Sequence, residues 1–315
     1  MKCSKLKDQS SNEKIVDNCI SNPDLCALPS VAEMTRAAGL APKKSLGQNF
    51  LFGLNLVGKI ARAVPDIKNS TVLEVGPGPG GLTRALLATG ARRVIAIEKD
   101  RTAAPILEQI AAASDNRLEI IFGDALKIFK CGKWKVECGL DNCNNSTFHI
   151  PHSTFAICAN LPYNIGTELL IRWLHIMAGG NPSPISSMTL MFQREVAQRI
   201  VAKPGSPQYG RLSVLTALVA DARVLFNVPR TAFTPAPKVD SAVVQIIPKK
   251  FDANNDLHLQ KIESVTARLF GQRRKMIRGI IPNVDWTAFG LSGMERAEEL
   301  PPEKFAELAR EIMVQ

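Results

Sequence analysis

Between residues 71 and 247 the chain repeats one pattern: a short apolar run, a turn, then a longer stretch of helical character. Thr71-Val72-Leu73-Glu74-Val75 reads as a buried parallel strand, because a strand covered on both faces loses polar alternation. It enters Gly76-Pro77-Gly78-Pro79-Gly80-Gly81, and a helix is predicted over 82–89, stopped by Gly90. A second strand over 93–97 ends at Glu98, a helix spans about 101–113, and a third strand over 118–122 ends in Gly123-Asp124-Ala125. More strands are predicted at 155–159, 188–192, 224–226 and 242–247, with helices at 166–178 and 193–202. Upstream, Ser30 is placed to cap a helix through about Ala38, with Glu33 as its capping-box partner and Gly39 at the end. Strand, Gly-rich turn, helix, strand and acid form a βαβ nucleotide-binding unit, so the fold class is α/β. Past Pro248 the strands stop. Residues 257–270 predict an amphipathic helix and the rest reads as helical with acidic faces. The expected organisation is a loosely ordered extension over 1–27, an α/β domain over 28–248 and a small all-helical domain over 249–315.

Composition narrows the function. The 315 residues are 45% hydrophobic and 22% charged, ordinary values for a globular chain. No apolar run approaches bilayer length and the N-terminus lacks the apolar core of a signal peptide. Acids at Asp8, Glu13, Asp17 and Asp24 argue against an organellar transit segment. Seven scattered cysteines argue against a disulfide framework and for a reducing compartment. The net charge is +10 and uneven: residues 249–281 hold eight Lys/Arg against three Asp/Glu, and 285–315 three against seven. A basic stretch within a globular chain suggests a polyanionic partner, nucleic acid first. The Cys/His-containing 131–153 stretch lacks a Cys-x2-Cys knuckle, so it reads as a surface insertion and no metal is expected.

The candidate chemistry lies at the ends of the predicted strands. Two prolines interrupt the Gly loop and remove N–H donors that a pyrophosphate would need. That suits S-adenosylmethionine, which carries an amino-acid end there, and disfavours a nicotinamide dinucleotide. Glu98 lies 22 residues after Gly76, the right reach for ribose hydroxyls, and Asp124 could accept from the adenine amino group or cap the next helix. The strand over 155–159 ends in Asn160-Leu161-Pro162-Tyr163: an amide, a fixed turn and an aromatic face, suited to a nucleobase held by its amino group. Phe233, on the proline-rich loop 232–241, either packs on the core or stands beside Tyr163. The basic loop 203–211 is a lid over a polyanion or a plain connection.

Together these motifs resemble the ribosomal RNA small-subunit adenine dimethyltransferases. The matching stretches are Lys-Ser-Leu-Gly-Gln-Asn-Phe-Leu (44–51), Glu-Val-Gly-Pro-Gly-Pro-Gly-Gly-Leu-Thr (74–83), Glu98 and Gly-Asp-Ala (123–125). Asn-Leu-Pro-Tyr-Asn (160–164), Phe-Thr-Pro-Ala-Pro-Lys-Val-Asp-Ser (233–241) and Phe-Gly-Gln-Arg-Arg-Lys (270–275) follow in order. The resemblance implies a Rossmann-like methyltransferase domain, a helical C-terminal domain, and N6,N6-dimethylation of two adjacent adenines in a hairpin loop near the 3′ end of small-subunit rRNA. It implies Asn49, Leu51, Gly76, Gly78, Glu98, Asp124 and Asn160 at the cofactor, and Asn160, Leu161, Tyr163 and Phe233 at the target base. Lys43, Lys44, Arg273, Arg274, Lys275 and Arg278 are expected on RNA phosphates. The expected setting is a monomer acting on a pre-ribosomal small subunit in the cytoplasm, of bacterial type rather than mitochondrial. The rival enzyme is a large-subunit adenine methyltransferase of the macrolide-resistance type; a second rival is an rRNA-binding assembly factor with secondary catalysis. Met276-Ile277-Arg278-Gly279 departs from the Asn-containing continuation the family pattern leads one to expect.

Overall fold

The computed structural model describes residues 22–129, 154–180, 182–250 and 258–311. The Cys/His-containing 131–153 stretch and residues 1–21 of the extension lie outside the described residues. Nine strands are present there: β1 (Phe50–Leu51), β2 (Thr71–Val75), β3 (Arg93–Glu98), β4 (Leu118–Phe122), β5 (Phe155–Asn160), β6 (Ile185–Gln193), β7 (Ala220–Val228), β8 (Phe233–Thr234) and β9 (Ser241–Pro248). The chain forms two compact units. One comprises 1–124, 156–160 and 231–237; the other comprises 125–155, 161–230 and 238–315. The division therefore does not follow the linear boundary at 248/249. Among the described residues no helix is long and apolar enough to cross a membrane.

The first unit contains strands in the order β4-β3-β2-β5, with β2, β3 and β4 parallel. Val72, Leu73, Val94, Ile95 and Ile97 are buried on the sheet, and Leu86, Leu87, Ile106 and Leu107 pack from the flanking helices Gly81–Ala88 and Ala104–Ala112. Near-total burial of β2 and β3 explains why both read as unbroken apolar runs. The Ser30 capping box is present and closes the helix Val31–Ala37. Residues 22–27, expected to be loosely ordered, instead form a capped helix over Pro23–Ala27. Asn22 donates to Asp115, and the Arg84 guanidinium donates to the carbonyls of Leu25 and Pro29. A tertiary cation satisfies the helix end that a local reading sees as unpartnered.

In the second unit β9 pairs antiparallel with both β6 and β7, and β7 carries a bulge between Val224 and Phe226. The helix Arg211–Val219, absent from the sequence expectation, is the element its neighbours share. It packs against the helices Gly166–Gly179, Leu259–Phe270 and Pro302–Glu311. Six of its nine residues are buried, on more than one face, so it shows no helical period to read. Its contacts also explain why residues 258–311 join this unit rather than standing alone. The expected helix beyond 278 is replaced by short 3-10 turns at Ile277–Gly279, Trp286–Phe289 and Ala297–Glu299, and an α-helix resumes only at Pro302. Gly290 and Gly293 have positive φ, and a Cβ on Gly293 would sit 2.7 Å from the Trp286 ring.

The 203–211 loop is neither lid nor free connection. The Gly205 N–H donates to the Glu298 carbonyl, and the buried Tyr209 hydroxyl donates to the Leu300 carbonyl at 2.9 Å. The Tyr209 ring meets Phe270 edge-on, and Phe270 stacks on Phe305 at 5.5 Å.

One buried acid in the first unit is out of character for its strand. Glu74 is 1% exposed and accepts from the Thr83 hydroxyl at 2.6 Å, tying β2 to the helix beyond the Gly loop. Burial, opposed by Thr83 and reinforced by Glu98, pushes its carboxyl up to about 8. The folded state therefore holds a proton that the unfolded chain releases at an ordinary carboxyl value. That contribution is complete below about pH 4.5 and is lost as pH rises toward about 8. Glu74→Gln should flatten the fall in stability across this window, by up to about 1.4 kcal/mol per pH unit. Urea midpoints of both proteins at pH 5 and pH 8 check this; equal slopes would contradict it.

Candidate active site

The candidate site is built on strand ends of the first unit. Gly76 closes β2 with φ +72°, and its N–H donates to the Ile97 carbonyl at 2.9 Å. Gly78 follows with φ +53°, a left-handed conformation that glycine adopts without a Cβ penalty. The Gly78 N–H then points to Glu98, donating to Oε2 at 3.0 Å, while the Asp100 N–H donates to Oε1 at 2.7 Å. The Glu98 carbonyl accepts from Gly123, so one residue ties together the ends of β2, β3 and β4. Glu98 is buried; burial raises its pKa against the backbone N–H groups of Asp100, Gly78 and Lys99. A buried carboxylate with lone pairs to spare and no counter-charge fits neutral hydroxyl donors, the groups a ribose presents.

Asp124 stands after β4 and pairs with Lys99 at 2.8 Å. Lys99 is mostly exposed, so the pair is weak and easily shared. This partner was not expected. Gly81, at the start of its helix, lies against the 43–51 stretch: a Cβ there would come within 2.6 Å of the Leu51 carbonyl oxygen. Only glycine permits that approach. Leu51 and Phe50 form β1, paired antiparallel with β8, so that Leu51 faces Phe233 and Phe50 faces Thr234. Phe233 is 4% exposed. Of the two placements the sequence left open for Phe233, this burial fits packing on the core.

Asn160 ends β5, and its Nδ2 donates to the Asn49 carbonyl at 3.1 Å. A carbonyl can only accept, so the amide must turn its nitrogen toward Asn49, which leaves the oxygen as the group presented elsewhere. Asn49 in turn donates to Gly47 at 3.4 Å. Asn49, a cofactor candidate, thus serves the neighbouring amide through its backbone.

The motif divides after Asn160, because Leu161, Pro162 and Tyr163 belong to the second unit. There Leu161 is buried, and the Pro162 carbonyl accepts from Ile165 and Gly166, turning the chain into the helix Gly166–Gly179. The Tyr163 hydroxyl shares a 2.7 Å hydrogen bond with Ser241, the last residue of the 233–241 motif. Burial, only partly offset by Ser241, raises the tyrosine pKa, so the hydroxyl stays neutral and anchors the ring rather than acting as a base.

The six expected phosphate contacts separate into two groups. Lys43 is committed to Asp100 at 2.7 Å, and Arg273 is committed to Glu298 and to the carbonyls of Pro207 and Ser206. Both have internal partners that the sequence did not announce. Lys44, Arg274, Lys275 and Arg278 are exposed and make no ion pair among the described residues. Lys99, Asp100 and Glu74 were not singled out from sequence; the signal for Glu74 was an acid inside an otherwise apolar strand.

The comparisons with known proteins agree with this geometry. The family model described as ribosomal RNA adenine dimethylase matches residues 39–313. The ribosomal RNA small subunit methyltransferase A of Chelativorans sp. is 50% identical over 289 residues, covering 90% of this chain and 98% of that protein. The protein of the same name from Mesorhizobium japonicum is 47% identical, with the same coverage of each chain. A dimethyladenosine transferase from Plasmodium falciparum superposes with a TM-score of 0.65 at 25% identity, covering 82% of this chain and 95% of that one. The 23S rRNA methyltransferase ErmE, at TM-score 0.58 and 24% identity, covers 83% of this chain and 98% of its own, and shares the fold. A Gly loop short of phosphate donors, a buried acid awaiting hydroxyls and an amide with its oxygen presented are thus set in a chain that belongs to the ribosomal RNA adenine dimethylase family.

Proposed function

We propose that this enzyme uses S-adenosylmethionine to dimethylate the N6 amino groups of two adjacent adenines in the 3′-terminal hairpin loop of small-subunit rRNA, within a pre-ribosomal particle. The observation that carries the reading is the Asn160 amide, held through its nitrogen so that its oxygen is the acceptor. The bacterial small-subunit relatives favour small-subunit rRNA over the large-subunit alternative, for which the likeness is one of fold. They also favour a cytoplasmic enzyme of bacterial type.

When bound, S-adenosylmethionine supplies an electrophilic methyl group on a sulfonium sulfur. Glu98 accepts from ribose hydroxyls, Asp124 accepts from the cofactor's adenine amino group in competition with Lys99, and Gly76, Gly78, Asn49 and Leu51 line the remainder. The target amino nitrogen is a poor nucleophile because its lone pair is delocalised into the ring. The Asn160 oxygen and the next carbonyl along the chain, Leu161, accept its two N–H groups. That frees the lone pair and stabilises the charge developing on nitrogen, which is preorganised electrostatic catalysis. Tyr163, its hydroxyl anchored by Ser241, offers its face to the base by stacking, worth about 1–3 kcal/mol. No general base is needed before attack, and the neutral Tyr163 hydroxyl does not serve as one.

Asn160→Ala should lower transfer by about 100-fold or more while cofactor binding falls only severalfold. Methyl incorporation into undermethylated small subunits, beside calorimetric titration of S-adenosylmethionine, checks this; full activity would sink the reading.

The exposed cations Arg274 and Lys275 make a contrasting pair with Arg273. Replacing Arg274 and Lys275 by Gln should lower the slope of log affinity against log salt by about 1–2, with no change in melting temperature. Arg273→Gln should instead lower stability by about 1–3 kcal/mol, because it leaves the Ser206 and Pro207 carbonyls and Glu298 without their donor. Filter binding at several salt concentrations and thermal melts distinguish the two.

A further inference from the structure

Lys43 is the expected phosphate contact of the first unit whose ammonium, on a 44% exposed side chain, pairs with a buried acid. It donates to Asp100 Oδ1 at 2.7 Å and to the Thr102 hydroxyl at 3.4 Å. The Asp100 side chain is 3% exposed and lopsided in its bonding. Oδ1 accepts from Lys43, the Thr102 N–H and the Thr102 hydroxyl, whereas Oδ2 is buried with no partner among the described residues. Lys43 is the cation that compensates this buried carboxylate. Removing Lys43 leaves the buried Asp100 charge without its cation, whereas removing Asp100 returns an exposed ammonium to solvent.

The two residues form the middle of a run of hydrogen bonds. The Asp100 N–H donates to Glu98, which also holds the Gly78 N–H. On the other side, the Lys43 N–H donates to the Gln48 side-chain oxygen at 2.9 Å, and the Gln48 N–H returns to the Lys43 carbonyl at 3.4 Å. This closes 43–48 into a small ring. The next residue, Asn49, supplies the carbonyl that holds Asn160. Every member belongs to the first unit.

We propose that Lys43 is a positioning residue for methyl transfer: its ion pair with Asp100 pins the 43–49 ring to the end of β3 and so fixes the Asn49 carbonyl that orients Asn160. This rests on the reading of Asn160 as the acceptor for the target amino group. Lys43 touches neither substrate nor cofactor. It acts through Asn49, and it links the order of the base site to the Glu98 end of the cofactor site. Lys44, exposed and without an ion pair, is the phosphate contact of this loop.

The test compares Lys43→Met, Lys43→Arg, Asp100→Asn, the Lys43→Met/Asp100→Asn double variant and Lys44→Met. The measurements are kcat and KM for S-adenosylmethionine on undermethylated small subunits, the salt slope of RNA binding, and near-ultraviolet circular dichroism to confirm folding. Lys43→Met should lower kcat on the order of 10- to 100-fold at saturating substrates, as expected for a displaced reacting group. It should leave the salt slope unchanged, and Lys43→Arg should recover most of the rate. The double variant should be no slower than the slower single variant, because both remove the same link. Lys44→Met should do the opposite, lowering the slope by about 1 and sparing kcat. Wild-type kcat with a reduced slope in Lys43→Met would overturn the proposal, as would additive losses in the double variant. Should Asp100→Asn fail to fold, Lys43→Met and Lys43→Arg decide the matter alone. Asn160→Ala assayed in parallel separates the two failures. If it is active, the reading of Asn160 falls. If it is inactive while Lys43→Met keeps full kcat, the latch falls.

Discussion

A single buried carboxylate organises the strand ends of the first unit. Glu98 accepts from the backbone of Gly78 and of Asp100, and its own carbonyl accepts from Gly123. Charge in a dry site is tolerated only where donors surround it. Here the donors are the turns that follow the strands, so meeting the needs of the acid and shaping the loop are one event. The two prolines suit the same end. They remove N–H groups that would otherwise offer themselves to a phosphate, and leave the Gly78 N–H for Glu98.

The same economy governs the target amide. Asn160 would be free to present either end of its side chain, and only an acceptor at its nitrogen removes that freedom. The Asn49 carbonyl supplies it from a loop more than a hundred residues earlier in the chain, and that loop is held by the Lys43–Asp100 pair. The orientation of the Asn160 side chain is thus set by a hydrogen bond between a strand end and a basic loop.

In the second unit, charge divides between holding the protein together and facing outward. Arg273 and Arg274 are adjacent and chemically identical. One closes the 203–211 loop against Glu298; the other stands in solvent. The aromatic row Tyr209, Phe270 and Phe305 fixes that loop from the apolar side. A loop rich in Gly, Pro and Lys looks mobile by composition, yet one buried tyrosine and one arginine suffice to dock it.

Local rules were enough for the elements whose causes are local. The buried parallel strands, the Ser30 capping box, the Gly loop and the acids at the strand ends were all legible, because periodicity, capping and turn chemistry act within a few residues. The motif order was legible too, and it carried the family. What only the tertiary structure decided was which partner each polar group takes. Lys43 and Arg273 read as surface cations, and nothing local announces Asp100 and Glu298 beside them. Residues 22–27 look frayed until Arg84 reaches their carbonyls. Phe233 is buried where β8 pairs with β1, and the helix Arg211–Val219 shows no period because four other helices pack on it. A charge or a ring carries no mark in the sequence of the distant group that will satisfy it, and that pairing is settled only when the chain is packed.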